Sequence, residues 1–348
     1  MTTFTHFPVR SGIDTFAIYK EEATYGVNPG TWGTNAKHFG IVQSISPSIG
    51  RNIQKIRGIT GVLPTDNQTP TSRDALQMVA GKLDVSFDVS FQPQDFSWLK
   101  YFFGTVSEAG NKKTYPQATA VTEADKKKYL NVPSISLATR YDFGGSDDHV
   151  NSAWVFSGMV NNSLTIKAAL GEPVSADLSF TGADLNKVTD VTTVPYTALS
   201  SADVYHFVEC TAITYGGVAL DYIIDGVTFK GTNAIDILGT LGQYTGAHPK
   251  VGERNFSVDF DLTIEGIKFF TDVLGGTTVN NPTLISEVSI LFKKSNTKNL
   301  KINLKDLKLG NLDPSLSYGE IMKGNITLDA KVAWAIEDED LTPPPPEE

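Results

Sequence analysis

Groups that could do acid–base, metal or nucleophilic chemistry are few in this chain and badly spaced for it. Histidine occurs five times, at His6, His38, His149, His206 and His248, and none has a neighbour at the spacing that metal chelation or a catalytic triad needs. Cys210 is the only cysteine, so the chain closes no disulfide of its own and completes no cysteine zinc site. Gly144-Gly145-Ser146-Asp147-Asp148-His149 has the residue types of a calcium or hydrolase loop, yet glycine and aspartate are what a hairpin tip requires in any case. Neither the phosphate-cradling glycine-lysine loop nor the dinucleotide glycine fingerprint occurs in a strand-to-helix setting. The expectation is a protein that is not an enzyme and that uses no metal and no cofactor.

What remains is charge arranged on strands. A formal net charge of −10 argues against gripping nucleic acid, because neutralising phosphates needs clustered Lys and Arg. One segment runs the other way: in Arg51-Asn52-Ile53-Gln54-Lys55-Ile56-Arg57 a strand puts Arg51, Ile53, Lys55 and Arg57 on one face, suited to an acidic patch on a neighbouring subunit. Asp66, Arg73 and Asp74 fall in the polar stretch Thr60 to Ala80, which is long for a loop in a compact domain and so is expected to be mobile or used. Asp84 and Asp88, and likewise Asp259 and Asp261, occupy the polar side of two alternating segments.

Those two segments belong to a unit that occurs twice. Gly81 to Phe91 alternates, continues into a stretch with Phe96, Leu99, Phe102 and Phe103 on one helical stripe, and ends at Gly104; Gly252 to Leu262 alternates, continues through Ile267, Phe270, Val273 and Leu274, and ends at Gly275. The offsets 252 − 81 and 275 − 104 are both 171. Alternation puts Val85, Phe87, Val89 and Phe91, or Phe256, Val258, Phe260 and Leu262, into a core and leaves the other face wet. The helical stripes also read as core, with Pro93 in a first helical turn and glycine as the stop.

At 348 residues the chain has room for two domains, each with its own core. The reading is an N-terminal arm over 1–40, a first domain over 41–182, a linker over 183–202, a second domain over 203–336 and an acidic, proline-rich tail over 337–348. Strands are expected over 41–49 and 52–59, and Asp225-Gly226 carries the signature of a type I′ hairpin turn. Pro173 to Phe180 and Lys323 to Ala330 are alternating strands that close each half, at an offset of 323 − 173, or 150. The fold class is mainly β: two tandem sandwich or barrel domains, each with one flanking α-helix. Met1 to His6 has neither the basic start nor the apolar core of a secretory signal, and no apolar run is long enough to span a bilayer, so no membrane insertion is expected.

Tyr19-Lys20-Glu21-Glu22-Ala23-Thr24-Tyr25-Gly26-Val27-Asn28-Pro29, taken with the paired strand-helix-glycine units, resembles the major tail tube proteins of long-tailed bacteriophages, one group of which opens on Glu-x-Thr-Tyr-Gly-x-x-Pro. The resemblance covers about residues 15 to 335 and implies a tail-tube-type β-sandwich in each half, its sheet continued by its neighbours around a lumen. It implies a virion protein, made in the host cytoplasm, that polymerises as stacked rings into the conduit for genome ejection. Its partners would be further copies of itself, the tape-measure protein, and tail terminator or baseplate proteins, with DNA passing without specific binding. A duplicated chain would close a ring from three copies with pseudo-sixfold symmetry; a ring of six chains is the alternative. On this reading Asp84, Asp88, Asp259 and Asp261 line the lumen, Arg51, Lys55 and Arg57 meet the next subunit, and the loop with Asp66, Arg73 and Asp74 reaches the next ring. The rival is a host-binding β-sandwich adhesin or baseplate component, which would need exposed loop aromatics; Trp32, Trp98, Trp154 and Trp334 mostly lie in or beside core patterns instead.

Overall fold

The computed structural model describes residues 16–30, 32, 35–56, 77–116, 132–140, 153–188, 205, 210–215, 218–219, 223–239, 244–263, 284–294, 298–315 and 323–338. The first half contains β1 (Phe16–Glu21), β2 (Lys37–His38), β3 (Gly40–Ile56), β4 (Gln77–Pro93), a 3-10 turn (Ser97–Leu99) running into α1 (Lys100–Phe103), β5 (Ser107–Ala109), β6 (Lys112–Tyr115), β7 (Ile135–Arg140), β8 (Ala153–Ala169), β9 (Ser175–Gly182) and β10 (Asp184–Val188). The second contains β11 (Cys210–Tyr215), β12 (Val218–Ala219), β13 (Ile223–Thr232), β14 (Ile235–Gly239), β15 (Gly246–Val251), β16 (Asn255–Thr263), β17 (Ile285–Lys294), β18 (Lys298–Ser315) and β19 (Lys323–Asp338). The protein is mainly β, in keeping with a β-sandwich, and its sheets are not closed into a barrel.

One pairing scheme is carried out twice. In the first half β3 pairs with β4, β4 with β9, and β9 with the later part of β8, while the earlier part of β8 pairs with β7, which pairs with β1. In the second half β13 pairs with β16, β16 with β19, β19 with β18, β18 with β17 and β17 with β11. The irregularities repeat as well: Gln43 in β3 and Asp225 in β13 are extra residues in their ladders, as are Asn162 in β8 and Gly310 in β18. Bulges are positioned features rather than noise, so their recurrence at matching places is strong support for duplication.

Ser179 pairs with Asp88 and Thr327 with Asp259, so the closing strands correspond at 327 − 179, or 148, and not at 150. A two-residue slip leaves a period-two pattern unchanged, and only the ladder distinguishes the two. The same 148 relates Gly158 (φ 68°) to Asp306 (φ 57°), where the long strands β8 and β18 pass from one layer to the other. At Gly158 a side chain is shut out twice over, since an added Cβ would lie 2.7 Å from Ala183 Cβ; aspartate tolerates the left-handed region better than most residues.

Several local expectations change. Asp225-Gly226 is no turn: β13 runs through it, and the pair makes the bulge that β3 makes at Gln43. β3 is one strand to Ile56 rather than two. Pro93 ends β4 opposite Gly40 instead of starting a helix, and the helical stripe is one 3-10 turn followed by one α turn, stopped at Gly104, whose φ is 90° and whose N–H reaches Lys100 O at 2.8 Å. The described part of the N-terminal arm holds a core strand, with Ala17, Ile18 and Tyr19 at most 1% exposed. β10 occupies the start of the expected linker. β19 extends to Asp338, and Glu337 is buried at 2% exposure, although an acidic run reads as a solvated tail. Trp154 is 39% exposed. The second helical stripe (267–274), the tip at 144–149, and Arg57, Asp66, Arg73 and Asp74 lie outside the described residues.

The halves do not keep separate cores. One apolar cluster runs from Tyr19 and Phe39 through Phe87, Phe91 and Phe102 to Phe256, Ile290 and Leu304.

Candidate functional site

The halves are joined edge to edge. β8 pairs with β13 from Ser163↔Thr232 to Ala169↔Gly226, so one sheet runs continuously in the order β3-β4-β9-β8-β13-β16-β19-β18. Since β8 corresponds to β18 and β13 to β3, the two strands that meet at this seam are the counterparts of the two strands whose outer edges no other strand pairs among the described residues. The correspondence of β3 and β13 is fixed by their partners: Ser46 and Thr228 face Asp88 and Asp259, giving 228 − 46, or 182.

α1 covers the seam. Phe102 lies over Gly231, where any Cβ would press into its ring. Phe103 stacks against Phe256 at 6.1 Å, and Arg254 lies 5.8 Å from the Phe102 ring centre. The Phe102 carbonyl, left without a partner by the helix end, accepts from Asn233 Nδ2 at 3.1 Å and Arg254 Nη2 at 3.4 Å, while Arg254 Nε donates to Asn233 Oδ1 at 2.9 Å. Asp95 holds the start of the turn, its Oδ1 accepting from Ser97 N at 3.0 Å and its carbonyl from Trp98 Nε1 at 2.9 Å. A helical element of the first half thus seals the joint onto the second, a role that the amphipathic stripe does not disclose because it looks like ordinary core.

The opposite face of the sheet is small and polar. Ser44, Ser46 and Ser48 on β3, Asp84, Ser86, Asp88 and Ser90 on β4, and Asp177 and Ser179 on β9 share it by register; Ser257, Asp259 and Asp261 on β16 and Asn325, Thr327 and Asp329 on β19 continue it. Asp84 and Asp88 are exposed, Asp259 is half-buried and Asp261 exposed. Asp88 and Asp259 stand four strands apart, about 19 Å at ~4.8 Å per strand. The charges are tied down unequally: Asp259 pairs with Lys230 at 2.5 Å and accepts from Thr327 Oγ1 at 2.8 Å, Asp261 accepts from Asn325 Nδ2 at 2.7 Å, and Asp84 has Lys82 at 3.6 Å. Of the basic stripe, Arg51 and Lys55 are exposed on β3, the guanidinium of Arg51 lying 5.8 Å from the Tyr244 ring centre.

Two buried carboxylates fix the chain ends. Glu22, within the opening motif, accepts from Ser136 Oγ (2.6 Å), Ser134 Oγ (2.7 Å), Gly158 N (2.8 Å) and Gly26 N (2.8 Å), clamping the arm onto the β8 crossover. Glu337 accepts from Tyr115 OH (3.1 Å) and Phe96 N (3.3 Å) with Lys113 at 3.8 Å; burial raises its carboxyl above the ordinary range, and Lys113 opposes the rise. No group of three or more His, Cys, Asp or Glu able to hold a metal occurs among the described residues, and no described helix is long and apolar enough to cross a membrane.

A duplicated β-sandwich whose halves join into one sheet, with edges left unpaired among the described residues and a polar face, is the fold of a structural protein rather than of a pocketed enzyme. The chain belongs to the phage tail tube protein family, whose sequence profile matches residues 12–330. It is a structural component of the bacteriophage tail that assembles with itself into a tube. Among curated proteins none matches the chain.

Proposed function

We infer that three copies of this chain close one ring of the tube, each filling two of six equivalent positions, and that stacked rings form the conduit through which the genome leaves the virion. The observation carrying this reading is the β8–β13 seam, a junction inside the chain between counterparts of its own open edges. If β18 of one copy meets β3 of the next in the same register, Asn311 falls opposite Gly50, Leu312 opposite Ile49, Asp313 opposite Ser48 and Ser315 opposite Ser46, from the offsets 148 and 182 applied to the β8–β13 pairs. A rotation that repeats one junction closes a ring.

The prolines fit such edges. Leu170 N donates to Asp225 O and Asn233 N to Asn162 O, each at 2.8 Å, and alternation along an antiparallel ladder then makes Phe229↔Ile166 a bonded pair. Their counterparts are Pro47 and Pro314. Each turns its missing donor outward, where it costs no bond within its own sheet and blunts the edge against indiscriminate strand pairing; in the register above Pro47 stands opposite Pro314, so the junction between copies would lack the two bonds that the seam makes there.

Arg51 and Lys55, exposed on β3, would meet the neighbouring copy, and so would Arg57, which follows them in sequence. The β3–β4 pair extends beyond the sheet and leads into 57–76, so Asp66, Arg73 and Asp74 would bridge to the next ring. The polar face, with Asp84, Asp88, Asp259 and Asp261, would line the lumen, where like charge keeps phosphates from sticking. Tape-measure, terminator and baseplate proteins would meet the finished tube. Electron micrographs of the purified chain test the reading: rings or hollow tubes are expected, and dispersed particles under all conditions would contradict it.

A further inference from the structure

Each half sends a two-stranded arm out beyond its sheet, and the two arms share one register. In the second half Ile235↔Val251, Asp236↔Lys250, Ile237↔Pro249 and Leu238↔His248 pair in β14–β15; in the first, Ile53↔Ala80, Gln54↔Val79, Lys55↔Met78 and Ile56↔Gln77 pair at the far end of β3–β4. These pairs keep the offsets of 182 and 171 that relate the strands from which the arms grow. The arms are nonetheless placed differently. β14–β15 lies down on the first half: Lys82 Nζ donates to Ile237 O at 2.6 Å, Leu83 N to Tyr244 O at 2.7 Å and Gly246 N to Ala183 O at 3.1 Å, and Ile237 is 4% exposed. On the first arm Ile53 is 55% exposed, Met78 63% and Val79 38%, and Lys55 is exposed as well.

We propose that the first arm, residues 53–56 with 77–80, docks on the second half of a neighbouring copy of the chain, as β14–β15 docks on the first half of its own. The proposal rests on the ring reading above and deepens it, since a junction repeated between copies brings corresponding surfaces together.

The two surfaces have changed in step. Ile237 lies in a cleft with Lys82, Thr181 and Gly182. Between copies, Lys55 (237 − 182) takes the place of Ile237, and Glu253 (82 + 171), Asp329 (181 + 148) and Ala330 (182 + 148) take the places of the cleft residues. A buried isoleucine beside a lysine thus becomes a lysine beside two carboxylates, and Lys55, Glu253 and Asp329 are all exposed in the single chain. The offset of 148 extends into β10, because Asp184↔Ser157 and Val332↔Lys305 are corresponding pairs. Asp184 lines a cleft with Ala247 and His248 of β15. Its counterpart Val332 is 46% exposed, and the arm that would reach it carries Met78 and Val79 where β15 carries Pro249 and Lys250. Lys331, the counterpart of Ala183, is held by Asp306 at 3.9 Å. Opposite charges face each other and apolar side chains face each other, the complementarity by which one surface selects another.

The test is a charge exchange in the full chain. Lys55→Glu and Glu253→Lys should each raise the concentration needed for tubes at least about tenfold, and both together should bring it back to within about threefold of the unsubstituted chain. Single substitutions without effect, or losses that add in the double variant, would overturn the docking and leave the tube standing. In the chain with Cys210→Ser, Lys55→Cys and Glu253→Cys, oxidised tubes should give a reductant-sensitive ladder that closes at three chains. A ladder that runs on without closing would put the arm on the next ring and overturn its placement. Failure of the unsubstituted chain to form rings or tubes would overturn the ring reading itself.

Discussion

The β8–β13 seam and the open β3 and β18 edges are built from corresponding strands and have been finished differently. The seam carries Phe229 opposite Ile166, each able to donate and accept, beneath a phenylalanine that fits only because residue 231 is glycine. The edges carry Pro47 and Pro314 in those places, and Ile49 stands half in solvent where Gly231 is buried. On the polar side Lys167 and Lys230 flank the seam, and Ser315 and Ser48 are their counterparts at the edges. A junction made once during folding can be dry, close and permanent; an edge that must wait for another molecule is kept short of donors and moderately apolar. On the ring reading proposed above, duplication would have converted one of two equivalent interfaces into core.

Substitutions that remove this difference should have effects in a definite order. Phe102→Ala empties the joint between the halves, and a loss of about 3–5 kcal/mol is expected in denaturant unfolding. Gly231→Ile, which copies the edge residue into the seam, overpacks the same place and should cost about 1–3 kcal/mol, whereas Ile49→Gly, the reverse copy, should cost the dispersed chain only about 0.5–1 kcal/mol, the penalty of glycine within a strand, while raising the concentration needed for tubes. If the two glycine–isoleucine exchanges proved equal in the dispersed chain, the contrast between seam and edge would be wrong.

At the two layer crossovers Gly158→Ala should destabilise by about 1–3 kcal/mol, because the left-handed φ and Ala183 both oppose a Cβ. Asp306→Gly should be neutral or stabilising by up to about 1 kcal/mol. Thermal unfolding of the pair measures how far the second crossover has been allowed to drift from the first.

The smallest effect concerns pH. Burial raises the Glu337 carboxyl, with Lys113, the Phe96 N–H and Tyr115 opposing and Asp95 adding to the rise. An acid whose pKa is higher in the folded chain binds its proton more tightly there, so its contribution is fully present below the ordinary glutamate pKa, about 4.3, and is lost as pH rises through the folded value. Glu337→Gln keeps the shape and removes the titration; its stability should fall less between pH 4 and 7 than that of the unsubstituted chain. Parallel profiles would mean that the carboxyl is not desolvated in solution.

Much of the fold was legible because strands write their faces into alternate residues: Val85, Phe87, Val89 and Phe91 are all 2% exposed or less, as their pattern required. What alternation cannot carry is register. The offset of 150 against the observed 148, and Asp225-Gly226 as a bulge rather than a turn, are errors of that kind, since both alternatives place the same residues on the same faces. Glu337 misled for another reason. An acidic run looks solvated unless its partners are known, and here they are Tyr115 and Phe96, more than two hundred residues away in sequence. The polar face was readable from Asp84, Asp88, Asp259 and Asp261. The seam was not, because pairing between β8 and β13 leaves no mark in either strand alone.

The most direct measurement is an image reconstruction of the assembled tube at a resolution that separates strands. The account predicts three chains per ring in six nearly equal positions, with β18 of each beside β3 of the next and Leu312 opposite Ile49. Six chains per ring, or a β3 edge that meets no β18, would contradict it.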